Sequence, residues 1–164
     1  MGQGYKVRTA VPGDIDDIVE LHRYSIVPVW EERGFSYSLD AVGELVTEMM
    51  EEEGQHMLVV ELDGANGREE TTSKDGSIIG FLWSQLFHDS VSGKIVDEVR
   101  MLLVHNEHRS EGIGSKLMEM EEDHARSNGA GNIKLEVMSY NQRAVDFYHK
   151  EGFIELKRVM FKGV

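Results

Sequence analysis

The stretch VHNEHRSEGIGSKLMEM, Val104 to Met120, decides how this chain is read. It sets Arg109, Gly112 and Gly114 at the start of a helical pattern that runs to about Asn128, with Gly129 past its end. Glycine weakens a helix, so two of them in a first turn need a reason. That turn carries unpaired N–H groups and a partial positive charge. An anion reaches those amides only where side chains leave room, and an arginine beside it adds a cation. Arg109-x-x-Gly112-x-Gly114, after a strand and before a helix, thus has the makings of a pyrophosphate cradle. A glycine-rich turn packed tightly on a sheet would need the same residues and no ligand. The pattern is not a P-loop, since no Gly-Lys-Ser/Thr follows. Nor is it the six-residue dinucleotide fingerprint, because a third glycine is missing and the strands before it form no βαβ unit.

Working outward, YKVRT at 5–9 predicts an opening strand, and Pro12 with Asp14, Asp16 and Asp17 predicts a helix start. Ile15, Ile18, Val19 and His22 follow at helical spacing. RGFSYS reads as a loop. Ser38 is a good N-cap for a second helix with Val42, Leu45, Val46, Met49 and Met50 on one stripe. HMLVVEL, IIGFLWSQLF and KIVDEVRMLLV read as three strands of an antiparallel meander. The polar segment 64–77 between the first two reads as a hairpin loop. IKLEVM is a further strand, Asn141 caps a helix through Lys150, Gly152-Phe153 ends it, and FIELKRVMFK is a last strand. The expected fold is α/β (α+β): a mixed central sheet in the order β-α-α-β-β-β-α-β-α-β, with helices on both faces. No repeat or linker divides the chain, so residues 1–164 are expected to form one domain.

Composition narrows the function. With 17 basic and 30 acidic residues the net charge is −13, a surface that repels nucleic acid and anionic lipid and suits a cationic amine. Acidity for solubility alone explains it as well. There is no cysteine, which removes thiol nucleophiles, thiolate metal ligands and disulfides. No apolar run spans a bilayer and no signal peptide is visible, so the expectation is a cytoplasmic protein with no membrane partner.

At this point the sequence resembles the GNAT superfamily of acyl-CoA-dependent N-acyltransferases. That family's central motif, Gln/Arg-x-x-Gly-x-Gly/Ala five residues past a strand-ending valine, is matched in full by Val104, Arg109, Gly112 and Gly114. A second motif is matched by Asn141, Ala144, Tyr148 and Gly152-Phe153. The resemblance is strong from about Ile78 to Phe161 and rests on layout alone before that. It implies an acetyl-CoA cosubstrate between EVRMLLV and IKLEVM, its pyrophosphate on the backbone of Arg109, Ser110, Glu111, Gly112, Ile113, Gly114 and Ser115. The pantetheine arm would pair with Leu102, Leu103 and Val104 like an added strand, with Asn141 as a further hydrogen-bond partner. It implies an N-acetyltransferase acting on a primary amine of a small molecule or peptide by direct attack. A protein N-terminal acetyltransferase and a catalytically silent acyl-CoA sensor are the alternatives. Dimers are common in the family, which makes a homodimer an expectation.

Such chemistry needs a neutral amine, N–H donors for the developing oxyanion and a proton for the departing thiolate. By resemblance Tyr148 is the general acid; by spacing alone it belongs to a core stripe with Ala144 and Val145. Glu98 and Glu136 compete as general base, six residues before Val104 and five before Asn141. In a regular strand Glu98 shares a face with Leu102 and Val104, unless a bulge intervenes. Either glutamate could equally be a solvated strand residue or a partner of Arg100, and burial beside a thioester would raise its pKa. His105 and His108 lie three apart in a loop with no acidic pair to complete a site, so no metal is expected. His22, Trp30 and Tyr37 are candidates for the acceptor side or for the core.

Overall fold

The computed structural model describes residues 4–63 and 78–163, so the expected loop at 64–77 lies outside the described residues. Five strands form one sheet in sequence order: β1 (Tyr5–Thr9), β2 (Gln55–Leu62), β3 (Ile78–His88), β4 (Ile95–Val104) and β5 (Asn132–Leu135). The first four are antiparallel neighbours and β5 runs parallel to β4, so the sheet is mixed as expected. The helices are α1 (Ile15–Ser25), α2 (Val27–Glu31), α3 (Leu39–Met50), α4 (Ile113–Ser127) and α5 (Gln142–Lys150).

Strand alternation divides the core. Met57, Val59, Phe81, Trp83 and Leu103 point to one face, where they pack with Ile18 and Leu21 of α1 and Val42 and Val46 of α3. Leu58, Val60, Leu82 and Val99 point to the other, against Ile113, Leu117 and Met118 of α4, with Phe147 of α5 at the margin. The two caps read from sequence are formed: Ser38 Oγ accepts from Ala41 N at 3.2 Å, and Asn141 Oδ1 from Ala144 N at 3.3 Å.

Three elements depart from expectation. The 27–31 segment forms a short helix, with Pro28 in its first turn, where its fixed φ and absent N–H are tolerated. The strand expected at 133–138 stops at Leu135, and Glu136 to Tyr140 turn toward the α5 cap. The last strand expected at 153–162 has no regular structure. Once β5 ends, nothing beyond Leu135 offers that segment a ladder, and a strand without a ladder leaves its backbone groups to water. Leu156, Met160 and Phe161 stand 84, 95 and 83% exposed. The Lys157–Glu136 ion pair at 3.2 Å and the Phe161–Phe35 ring contact at 5.8 Å tether it. No helix among the described residues is long and apolar enough to cross a membrane.

Candidate active site

β4 is the element around which the site is built. Trp83 pairs with Met101 but Ser84 pairs with Val99, so Arg100 is an extra residue, a bulge. The bulge reverses the side-chain phase along the strand. Val99 packs under α4 with Leu102 and Val104, while Met101 and Leu103 face α1. Glu98 therefore lies on the opposite face from Leu102 and Val104, next to Arg100 and Lys134. This corrects the regular-strand expectation of a shared face.

The same bulge parts β4 from β5. Their parallel pairing covers Val96–Val99 against Asn132–Leu135 and ends there. Past Arg100, residues Met101–Val104 keep β3 on one side and, among the described residues, have no strand on the other. Val104 then leads through a short turn, Asn106–His108, to the glycine segment.

That segment holds two residues in the left-handed region, Ser110 at φ 69° and Gly112 at φ 83°. Gly112 is the N-cap of α4, and Lys116 N bonds its carbonyl at 2.9 Å as the first helical bond. Left-handed residues interspersed in a turn gather backbone N–H groups into an anion-binding concavity, which here continues into the first turn of α4. A Cβ built on Gly112 meets no atom within 4 Å, so the turn is open on that side. Gly114 differs. A Cβ there would lie 3.2 Å from Phe147 Cζ and 3.3 Å from Cε2, so this glycine lets α5 pack against α4. The two glycines serve separate ends, an open cradle and a close helix contact.

The side chains of the segment turn away from the cradle. Arg109 donates from Nε to the Val104 carbonyl at 3.2 Å and from Nη2 to the Ser25 carbonyl at 3.0 Å. It joins the end of β4 to the end of α1, which replaces the expectation of a guanidinium aimed at the anion. Burial, and then the nearby Arg143 charge, lower its pKa. Ile113 is core, Ser115 Oγ donates to Glu151 at 2.6 Å, and Glu111 meets His108 at 3.3 Å. Arg143, missed in the sequence, reaches Ser110 Oγ at 3.4 Å. The Arg143 guanidinium lies close enough to Arg109 for the two charges to oppose one another.

Tyr148 is half-buried, its ring against Phe147 at 5.2 Å and Phe153 at 5.6 Å. Burial pushes its phenol up to about 12, so it stays protonated through the neutral range. Glu98 accepts from Lys134 at 2.7 Å and Arg100 at 3.0 Å. Burial acts to raise its pKa, but these two cations outweigh it and hold the carboxyl below its usual range, against the expectation of a raised value. Glu136 is exposed, outside β5 and paired with Lys157.

On the α1–α3 face, His22 is buried core. Its Nδ1 donates to Ile18 O at 2.7 Å, its Nε2 lies 3.2 Å from Met101 Sδ, and burial lowers its pKa. Tyr37 stacks over it at 6.1 Å and Trp30 meets Tyr37 edge-on at 5.2 Å. His105 and His108 belong to no three-residue grouping of ligand-type side chains among the described residues.

The sequence profile of the acetyltransferase (GNAT) family matches residues 19–153. Among curated proteins, the chain is 36% identical over 61 residues to N-alpha-acetyltransferase 30 of Schizosaccharomyces pombe, 37% of this chain and 41% of that one. It is 46% identical over 46 residues to the streptothricin acetyltransferase of Streptomyces lavendulae, 28% of this chain and 24% of that one. These matches span less than half of either relative. Among solved structures, the aminoglycoside N-acetyltransferase AAC(6')-Iy in complex with CoA superimposes with TM-score 0.74 at 17% identity, over 100% of this chain and 97% of that one. A putative acetyl transferase from Pyrococcus furiosus does so with TM-score 0.72 at 21% identity, over 98% of this chain and 100% of that one. At such identities the superpositions show the fold, and the profile shows the lineage: this chain belongs to the GNAT acetyltransferase family.

Proposed function

We propose that the chain is an acetyl-CoA-dependent N-acetyltransferase that acts on a primary amine of a small molecule or peptide. One observation carries this: the edge of Met101–Val104, without a strand partner among the described residues, leads into a left-handed glycine turn that is open at Gly112. The residues present fit the cosubstrate. The amides of Ser110 to Ser115 suit its pyrophosphate, with Arg143 as a cation at the turn through its bond to Ser110. The edge formed by Leu102, Leu103 and Val104 suits the amide-bearing pantetheine arm, which can bond to it as a strand does. Asn141 spends its side-chain oxygen on the α5 cap, which leaves its amide nitrogen to donate.

Bound there, acetyl-CoA supplies an activated thioester acyl group. Tyr148 holds a proton on its phenol oxygen at neutral pH and is the donor for the leaving sulfur. Glu98, ionised and on the α1–α3 face, attracts a cationic acceptor and takes its proton through water. Glu136, exposed and paired with Lys157, is the weaker candidate for that role. Trp30 and Tyr37 line the acceptor side.

The test is a panel of amines screened for release of free CoA with a thiol reagent. The chain has no cysteine, so all new thiol signal belongs to CoA. Release that depends on the amine supports the reading, and binding of acetyl-CoA with no release for any amine makes the chain an acyl-CoA sensor instead. The stretch shared with an N-alpha-acetyltransferase favours a second reading, a peptide α-amine as acceptor. Short peptides with free and blocked N-termini in the same panel separate the two.

A further inference from the structure

On the α4 face, five polar side chains converge between helix and sheet: His56 of β2, Ser84 of β3, Asp97 of β4, and Glu121 and His124 of α4. Glu121 and Asp97 are each 0% exposed. Glu121 Oε2 accepts from His56 Nδ1 at 2.8 Å, and its Oε1 accepts from Ser84 Oγ at 2.5 Å. The His56 and His124 rings stack with centroids 3.7 Å apart and planes 10° from parallel. One ligand atom from each of His56, Glu121 and His124 falls within 4.8 Å of the other two. Asp97 lies against Glu121 and Ser84, and burial together with the facing Glu121 carboxyl raises its pKa, so one proton is held between the two carboxyls where no cation replaces it. No lysine or arginine among the described ion pairs reaches either carboxylate.

Two carboxylates buried without a cation are costly unless something compensates them. Their neighbours are two imidazoles, and no thiol exists in the chain. Two histidines and a carboxylate, with a fourth position left for water, are a donor set for zinc and similar divalent ions. Glu121 and His124 are three apart on one helix, so both face the same way. His56 pairs with Ser84 across the ladder, and Asp97 pairs with Leu86 two residues further along β3, which sets Ser84 and Asp97 on that same face.

We propose that His56, Glu121 and His124 bind one divalent transition-metal ion of the zinc class, which cross-links α4 to β2, with Asp97 beside Glu121 as its positioning partner. Parallel stacked rings cannot aim two nitrogens at a common point, so ligation requires one ring to turn. His124, half-exposed at the rim, is the ring with room to turn, at the cost of its 3.4 Å contact with Asn128 Nδ2. The ion's role is structural: the cluster lies along the body of α4, past the first turn and the cradle. It stands independently of the acyl-transfer reading, and it revises the expectation of a metal-free chain.

The full-length protein, stripped with a chelator and dialysed, is titrated with Co2+ followed by visible absorption and with Zn2+ by calorimetry. One equivalent of Co2+ with a tetrahedral d–d band is expected. Zinc at about 100 times its dissociation constant should raise the melting temperature by about 5–10 °C. His124→Gln, at the rim, should keep its circular dichroism and weaken binding at least about tenfold, while His108→Gln changes nothing. Absence of the band in the parent protein overturns the proposal whatever the variants do. Binding that survives both His124→Gln and His56→Gln also overturns it. If the metal-free protein ignores Zn2+ and Asp97→Asn melts higher than the parent, the two carboxyls share a proton and no ion belongs there.

Discussion

Replacing each of the two motif glycines by alanine separates their roles. At Gly112 the backbone is left-handed at φ 83°, which costs a residue with a Cβ about 1–2 kcal/mol. For a chain of this size each kcal/mol moves the melting temperature about 2–4 °C, so Gly112→Ala should melt about 2–8 °C lower and remain folded. Its methyl group projects from the open side of the turn, where no protein atom lies within 4 Å. Displacing one charge-assisted hydrogen bond to a phosphate forfeits about 1.5–3 kcal/mol, a rise of about 10- to 100-fold in the acetyl-CoA dissociation constant.

Gly114→Ala sets opposing effects against each other. Alanine gains about 0.8–1.0 kcal/mol of helix propensity. Its Cβ would lie 3.2 Å from Phe147, and overpacking costs about 1–3 kcal/mol. Phe147 is only half-buried and can tilt, so the low end of that range applies and the melting temperature should stay within about 4 °C of the parent. Binding should change less than about threefold, well under the 1.4 kcal/mol that a factor of ten represents. Calorimetric titration with acetyl-CoA beside thermal melts reads both quantities. The reasoning fails if Gly112→Ala binds as the parent does, or if Gly114→Ala loses affinity equally.

Tyr148→Phe should bind acetyl-CoA normally and turn over about 10²-fold slower, in stopped or continuous CoA-release assays; parent-like turnover would return the ring to the core. Arg109→Gln should lower the melting temperature by several degrees, since it frees the Val104 and Ser25 carbonyls, with less effect on cofactor affinity than Gly112→Ala. Glu98→Gln should raise the acceptor KM more than it lowers kcat. Because the folded pKa of Glu98 is depressed, its stabilising contribution is present at neutral pH. It is lost as pH falls below about 4.3 through that lower folded value, so melts of parent and variant should converge in acid. A kinetic limb near pH 6 removed by Glu98→Gln would contradict this ionisation state. For a cationic acceptor, kcat/KM should fall as salt shortens the Debye length below about 8 Å, and a flat response would leave the net charge of −13 as a solubility feature.

Periodicity and caps carried most of the architecture. Alternation in HMLVVEL and IIGFLWSQLF placed the meander, and Ser38 and Asn141 marked helix starts that the structure keeps. What the sequence hid were effects of tertiary partners. Gly114 owes its identity to Phe147, a side chain more than thirty residues away in the chain. Ser110 takes a left-handed conformation that serine does not advertise. The bulge at Arg100 leaves no gap in a string as uniformly strand-like as VDEVRMLLV, so the faces of Asp97 and Glu98 could not be assigned from alternation. FIELKRVMFK has the pattern of a strand, but pattern cannot create the neighbour that a ladder requires. Within the site, the glycine turn was legible because its chemistry is local. The Arg100 partner of Glu98 was legible for the same reason, whereas Lys134 was not, because it reaches Glu98 from β5.

The bulge also makes β4 unequally tolerant of changes in length. Its two halves, Val96–Val99 and Met101–Val104, are out of phase and joined by a single residue. Deleting Arg100 would join Val99 to Met101, which already point to opposite faces, so the strand would become regular and every side chain would keep its face. Adding a second residue beside Arg100 would do the opposite and turn the first half over: Val99 would leave the α4 core and Asp97 would swing its carboxylate toward Trp83 and α1. A residue added to the exposed turn between His88 and Ile95 alters only its reach. Length variants built by single insertions along 88–104 should therefore fall into two classes divided by position: soluble protein from the turn, and aggregated or degraded chains from the strand.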